Sequence, residues 1–356
     1  MTLITASAFA QTSRPVYTRI VVVGDSITEG HTYPYLIQQA LQEAGKPVPA
    51  IINAGVGGDT ARGIITRLDR DVFRYEPDLV ILDTGINDMG LYDPAEYEAL
   101  MRQIIGKIRE KNIPILLATS SVLSAKHFGA LPRQAHFNAV VRRLGEEFDY
   151  PVAEVFDRMI EAGFDAPLQE PDGAHLNFAG YQLLTRAMLD GLGYRDVPVP
   201  AEWKIPVMPG VILSWKVRAV DKTTDLTEEN IKEVVLDDSW KTHALPETEK
   251  NPGWWLEQQR ARGVSMQLSR VLGEDKRYQG LAIIKSDHEK QVYINLGAGV
   301  GKVFLNGAQV NKIDLGQFGY TAGARREKVT LKAGDNTLIF QTDKWFFVSV
   351  TDDDKW

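Results

Sequence analysis

A serine hydroxyl, an imidazole and a carboxylate can together attack a carbonyl, and this chain offers residues for each role at telling places. Ser26 follows Gly24 and Asp25, where the β-branched run Val21, Val22 and Val23 stops. Asp172 and His175 are three positions apart, a spacing that sets both side chains on one face of a turn. The carboxylate can then hold one ring nitrogen while the other meets a nucleophile. Gly58 ends a glycine-rich run before Asp59 and Thr60, where an exposed backbone N–H ahead of a helix makes a good anion donor. Asn87 stands after the apolar run 79–82 much as Ser26 stands after its own. Each also has a plainer reading: a serine that caps a helix, glycines in a flexible turn, an asparagine that forms a turn, and a histidine in a surface loop.

These residues need elements to hold them. The apolar run before Ser26 reads as a buried parallel strand, whose carboxyl end faces the crevice where open α/β sheets bind ligands. Tyr33, Leu36, Ile37, Ala40 and Leu41 have helical spacing over 32–44, and 50–53 reads as a second strand. A helix is expected to open near Asp59. Strands follow over 79–82, 114–118 and 151–155, with helices over 93–111, 132–148 and 179–192 and a loop over 119–129. Strands alternating with helices imply right-handed crossovers and a parallel sheet, with all four polar turns at carboxyl ends.

Composition narrows the partners. The net charge of −7 lacks the basic stripe that nucleic acid or an anionic membrane calls for, and no apolar run is long enough to span a bilayer. The absence of cysteine removes disulfides, thiolate metal sites and a cysteine nucleophile. No spacing of the H-E-x-x-H kind is present, so neither metal nor cofactor is expected. Ala8, Phe9 and Ala10 before Gln11 match the A-x-A pattern of a signal-peptidase site, without the basic n-region of a full signal. Residues 1–15 are therefore read as a truncated signal remnant, and the protein as secreted or periplasmic.

Taken together, Gly24-Asp25-Ser26, the Gly58 turn, Gly85-Ile86-Asn87-Asp88 and Asp172-x-x-His175 resemble, in order, the four blocks of the SGNH or GDSL hydrolases. The resemblance covers roughly residues 19–192. It implies an α/β fold, a flavodoxin-like three-layer αβα domain over 16–196 with a five-stranded parallel sheet of order 2-1-3-4-5. It implies a serine esterase working through an acyl-enzyme, with Ser26 as nucleophile, His175 as base and Asp172 fixing the ring. The oxyanion hole would be the Ser26 and Gly58 amides and the Asn87 side chain. Asp25 and Asp88 are expected to brace their turns, and His31 and His127 are candidates for substrate contact, with His136 near the same loop. One departure is visible: Leu176 stands where the family often has proline, and a slightly looser last loop is the expectation.

Beyond Gly193 the pattern changes. Prolines over 197–210 read as a stiff linker, and 211–356 as a β-sandwich of short runs punctuated by Gly, Asn and Asp. Strand-like runs are 211–217, 265–268, 281–285, 291–296, 302–305, 328–331, 336–341 and 346–350, and Leu305-Asn306-Gly307 is a hairpin signal. Residues 303–310 and 332–338 resemble the galactose-binding-like jelly rolls attached to many glycoside hydrolases. Trp240, Trp254, Trp255 and Trp345 can stack on sugar faces or fill a core. The implied activity is removal of short acyl groups, acetyl above all, from carbohydrate. The alternatives are a lipid-directed lysophospholipase, thioesterase or arylesterase, and a carbohydrate-binding protein with an inert hydrolase domain; intact Ser26, Asp172 and His175 argue against the last.

Overall fold

Aliphatic and β-branched runs form the strands β1 (Arg19–Gly24), β2 (Ala50–Gly55), β3 (Leu79–Asp83), β4 (Ile115–Ala118) and β5 (Val152–Ala153). The computed structural model describes residues 16–30, 32–124, 130–163, 167–204, 207–244, 266–297, 299–311, 325–343 and 345–353. The five strands pair in parallel in the order β2-β1-β3-β4-β5. Helices α1 (Ser26–Glu29), α2 (Thr32–Glu43), α3 (Ala61–Asp71), α4 (Pro94–Glu110) and α5 (Leu131–Phe148) lie in the crossovers, and α6 (Val155–Ala162) and α7 (Phe178–Gly191) follow β5. This is the α/β architecture read from the sequence.

Successive strand residues face opposite sides, so β1 serves two cores. Ile20 and Val22 join Leu36 and Ile37 of α2, Phe156 and Met159 of α6, and Tyr181 and Leu184 of α7. Val21 and Val23 join Ile64 and Leu68 of α3, Ile104 and Ile105 of α4, and Phe137 and Val141 of α5. The helix ends are chemically marked. Asp93 caps α4 by accepting from the Ala95 and Glu96 N–H groups, while Glu96 reaches back to the Asp93 N–H and Pro94 opens the helix.

Two details differ from the sequence reading. The fifth strand is shorter than 151–155, because Val155 begins α6, which was not expected. Phe156 N–H donates to Thr119 Oγ1 at 3.0 Å, and Val155, Phe156 and Met159 bury one face, so the chain turns helical as soon as β5 has paired with β4.

The second half is all antiparallel β. One sheet orders β12 (Ala308–Gln309), β11 (Val300–Leu305), β14 (Gly334–Thr342), β9 (Arg277–Ser286), β6 (Ser214–Val220) and β7 (Lys241–Ala244). The other orders β13 (Arg325–Leu331), β10 (Lys290–Gly297), β15 (Trp345–Thr351) and β8 (Met266–Gln267). Their inner faces share one core, in which Trp215 meets Phe340 and Phe346 edge-on at 4.9 and 5.7 Å between centroids. Shared burial of both faces makes this a sandwich. At the hairpin from β11 to β12, Asn306 and Gly307 both take positive φ, 52° and 87°, as a two-residue turn of that hand requires.

The tryptophans resolve in part. Trp240 is buried, its Nε1 donates to Val235 O at 3.0 Å, and the Arg218 guanidinium lies 4.4 Å from its ring centroid, so it serves a core. Trp345 is half-buried against Met208 and Phe347. Trp254 and Trp255 lie outside the described residues.

Candidate active site

Ser26 stands just beyond β1, at the place in the sheet where β2 and β3 depart to either side. Asp25 caps the short helix it opens, its Oδ1 accepting from Ile27 N–H at 3.0 Å. The far end of that helix is held by two side chains that sequence reading did not single out. Asn53 Nδ2 donates to Thr28 O at 2.6 Å, and Tyr181 Oη donates to Ile27 O at 3.1 Å. Glycines make the approach possible. A Cβ on Gly55 would lie 2.2 Å from Glu29 N, and one on Gly24 would lie 2.3 Å from both Asp83 O and Thr28 Oγ1.

His175 Nε2 lies 3.0 Å from Ser26 Oγ, and its Nδ1 lies 2.6 Å from Asp172 Oδ2. Asp172 Oδ1 also accepts from the N–H groups of Ala174 and His175, at 2.9 and 3.0 Å. Burial raises a carboxyl, yet these hydrogen bonds and the imidazole leave Asp172 below its ordinary value. An ionised Asp172 accepts only, so Nδ1 carries the ring hydrogen and Nε2 is left to accept from the serine hydroxyl. The loop is well braced despite Leu176 in place of proline. Leu176 is fully buried and bridges to Gln169, and Glu170 N–H donates to His175 O at 2.8 Å. Where the family often has proline, the Leu176 side chain anchors the loop in the core.

Gly58 takes φ +76° in the turn after β2 and is exposed. Asn87 is half-buried, and its Nδ2 donates to Asp59 O at 2.9 Å, joining the turns after β2 and β3. That nitrogen has a second hydrogen to offer. Asp88 braces both turns, as expected of it. Its Oδ1 accepts from Ala61 N–H at 2.9 Å and its Oδ2 from Thr84 Oγ1 at 3.0 Å. His31 and His127 lie outside the described residues, and His136 sits on the exposed side of α5. Among the described residues no group of His, Asp or Glu could hold a metal ion, and no helix is long and apolar enough to cross a membrane.

Beneath the serine lies a buried acidic cluster. Asp83 accepts from Tyr33 Oη at 3.0 Å and Thr28 Oγ1 at 3.3 Å. Burial pushes its carboxyl up to about 6, against the pull of those two bonds. Burial and then the charge of Asp83 raise Asp25 well above the carboxylate range. A folded value above the unfolded 3.8 means the native state holds this proton longer, so the Asp83 contribution to stability falls as pH rises through about 4 to 6 and is flat above. Asp83→Asn, which cannot ionise, is expected to gain on the wild type across that window. Melting temperatures taken every half unit between about pH 4 and pH 7 test this; a constant offset between the two proteins contradicts it.

Residues 22–183 match the GDSL-like Lipase/Acylhydrolase family. Thioesterase 1/protease 1/lysophospholipase L1 of Escherichia coli K12 is 27% identical over 166 residues, covering 44% of this chain and 75% of that protein. An acetylxylan esterase of Geobacillus stearothermophilus is 26% identical over 213 residues, covering 50% of this chain and 95% of that protein. A crystal structure of an acetylxylan esterase from that organism covers 51% of this chain and 97% of its own, at 22% identity and a TM-score of 0.46.

Proposed function

We propose that this chain, a carboxylic ester hydrolase that belongs over residues 22–183 to the GDSL-like lipase/acylhydrolase family, removes short acyl groups, acetyl above all, from carbohydrate by a serine acyl-enzyme route. The observation that carries the route is the unbroken chain of hydrogen bonds from Asp172 Oδ2 through both nitrogens of His175 to Ser26 Oγ. Ser26 Oγ attacks the ester carbonyl as His175 Nε2 takes its proton, and Asp172 stabilises the imidazolium that results. Negative charge growing on the carbonyl oxygen meets the Ser26 and Gly58 amides and the second hydrogen of Asn87 Nδ2. His175 then returns the proton to the departing sugar hydroxyl, leaving an acyl-serine. Water, activated by the same imidazole, releases the acid and restores Ser26.

The carbohydrate substrate is supported by the acetylxylan esterase relative, 95% of which aligns with this chain. The attached sandwich fits it by analogy. The same reading places the enzyme outside the cytoplasm, on the A-x-A pattern at residues 8–10. The thioesterase and lysophospholipase relative favours a second reading, with long acyl chains as substrate. A panel separates the two: acetylated xylooligosaccharides, 4-nitrophenyl esters of increasing acyl length, a palmitoyl thioester and a lysophospholipid. The acetyl reading expects kcat/KM to fall by about tenfold or more between acetyl and octanoyl esters, because a short acyl pocket rejects added methylenes. A rise with chain length selects the lipid-directed reading.

A further inference from the structure

We propose that Arg67 is a positioning residue for the oxyanion hole, acting through Asp59 on Gly58 and Asn87. The inference rests on the serine-esterase reading above. Arg67 lies on α3 and is almost fully buried, yet it touches none of the groups assigned to the chemistry. Its guanidinium instead gathers the backbone that leads to them. Nη2 donates to Gly24 O at 3.0 Å, two residues before Ser26, and Nη1 donates to Ala54 O at 2.6 Å, at the end of β2. Nε donates to Asp59 Oδ2 at 2.7 Å, and Asp71 Oδ2 lies 3.2 Å from Nη1. One planar fork thus fastens the carboxyl ends of β1 and β2, whose following turns supply two of the three hole donors, and the residue directly after Gly58.

Asp59 passes the restraint on. Its backbone carbonyl is the acceptor for Asn87 Nδ2, so the position of the Asn87 amide depends on where Asp59 is held. The turn over 56–59 closes by Asp59 N–H donating to Val56 O at 3.1 Å, which sets the direction of the Gly58 amide within it. Room for this carboxylate is made on α3 itself. A Cβ on Gly63 would lie 1.7 Å from Asp59 Oδ1, so a glycine that weakens the helix by about 1 kcal/mol relative to alanine stands where only glycine admits the side chain. Arg67 and Gly63 therefore act independently on one residue. Lysine cannot replace the arginine, since one ammonium lacks the spread of donors that reaches two strands and a carboxylate at once.

The test uses the full chain and the variants Arg67→Lys, Gly63→Ala, Asn87→Ala, and each of the first two combined with Asn87→Ala. Three quantities are measured: kcat and KM on 4-nitrophenyl acetate, inhibition by methaneboronic acid as a tetrahedral adduct, and amide hydrogen exchange over residues 55–60. Misplaced donors are expected to lower kcat by about tenfold to a hundredfold in Arg67→Lys and in Gly63→Ala, with KM changed less than about threefold. Boronate inhibition should weaken by a similar factor, and exchange over 55–60 should speed up. In the Asn87→Ala background the further loss should shrink to a few-fold, because one of the two donors being positioned is gone. Folded single variants that keep kcat within about twofold overturn the proposal, as do losses that multiply fully in the combined variants, since both point to a merely structural arginine. If Arg67→Lys does not fold, Gly63→Ala and its combination decide alone. If the wild type cleaves no ester and binds no boronate, the esterase reading has failed. Exchange over 55–60 then still reports whether Arg67 and Gly63 fix the turn.

Discussion

Ser26→Ala and His175→Ala are each expected to lose about four to six orders of magnitude in kcat on a small activated acetate, with the circular dichroism spectrum unchanged. The size follows from how the groups depend on one another. On the proposed route Ser26 Oγ is a weak nucleophile until His175 Nε2, 3.0 Å away, removes its proton, and the imidazole has no attacking group without the hydroxyl. The two losses should therefore not multiply, and the double variant should sit near the worse single one. Asp172→Asn should cost somewhat less, about four orders of magnitude. Its Oδ1 can still receive the Ala174 and His175 amides, but the ring then faces an amide donor where a carboxylate held Nδ1–H. Turnover within about a hundredfold of wild type in both Ser26→Ala and His175→Ala would falsify the assignment.

Asn87→Ala is expected to lower kcat by about a hundredfold to a thousandfold while KM stays close to its wild-type value. The amide is half-buried and bonded on one side to Asp59 O, so it needs no reorganisation when charge appears on the substrate oxygen. In the proposed role its contribution is confined to the transition state, and the loss should fall on kcat. Asn87→Asp should be worse than alanine, because an acceptor with negative charge then faces both Asp59 O and the developing oxyanion. A loss below about tenfold, or one that falls mainly on KM, counts against Asn87 as a hole donor. Steady-state kinetics on the same acetate read both variants.

Ser26 and Asn87 could be picked out of the bare chain because strand ends are chemically loud: an apolar run stops, and a polar residue stands at the stop; His175 stood out by its three-residue spacing from Asp172. The parallel sheet was legible for the same reason, since buried strands with helices between them leave little choice of topology. Arg67 was not legible. In sequence it is a helix arginine four positions before Asp71, which reads as a surface pair, and only burial shows that the fork reaches Gly24 and Ala54. Gly63 reads as a helix defect for a similar reason. The strand β7 escaped notice because Lys241, Thr242, His243 and Ala244 bury almost nothing, so no alternation marks them. The helix α6 was hidden by the brevity of β5, whose two residues make too short a run to stand apart from the apolar face of the helix.

That brevity recurs. Among the described residues each of the three sheets ends, on one side, in a strand of two residues: β5 in the parallel sheet, β12 and β8 in the antiparallel ones. A sheet border is a row of unsatisfied amides and carbonyls that invites a foreign strand, and two residues offer too little ladder for one to zip onto. The longer border strand β13 carries Arg325, Arg326, Glu327 and Lys328, where incoming backbone would meet charge. At these four borders an incoming strand from a second copy meets either too short a ladder or a row of charges.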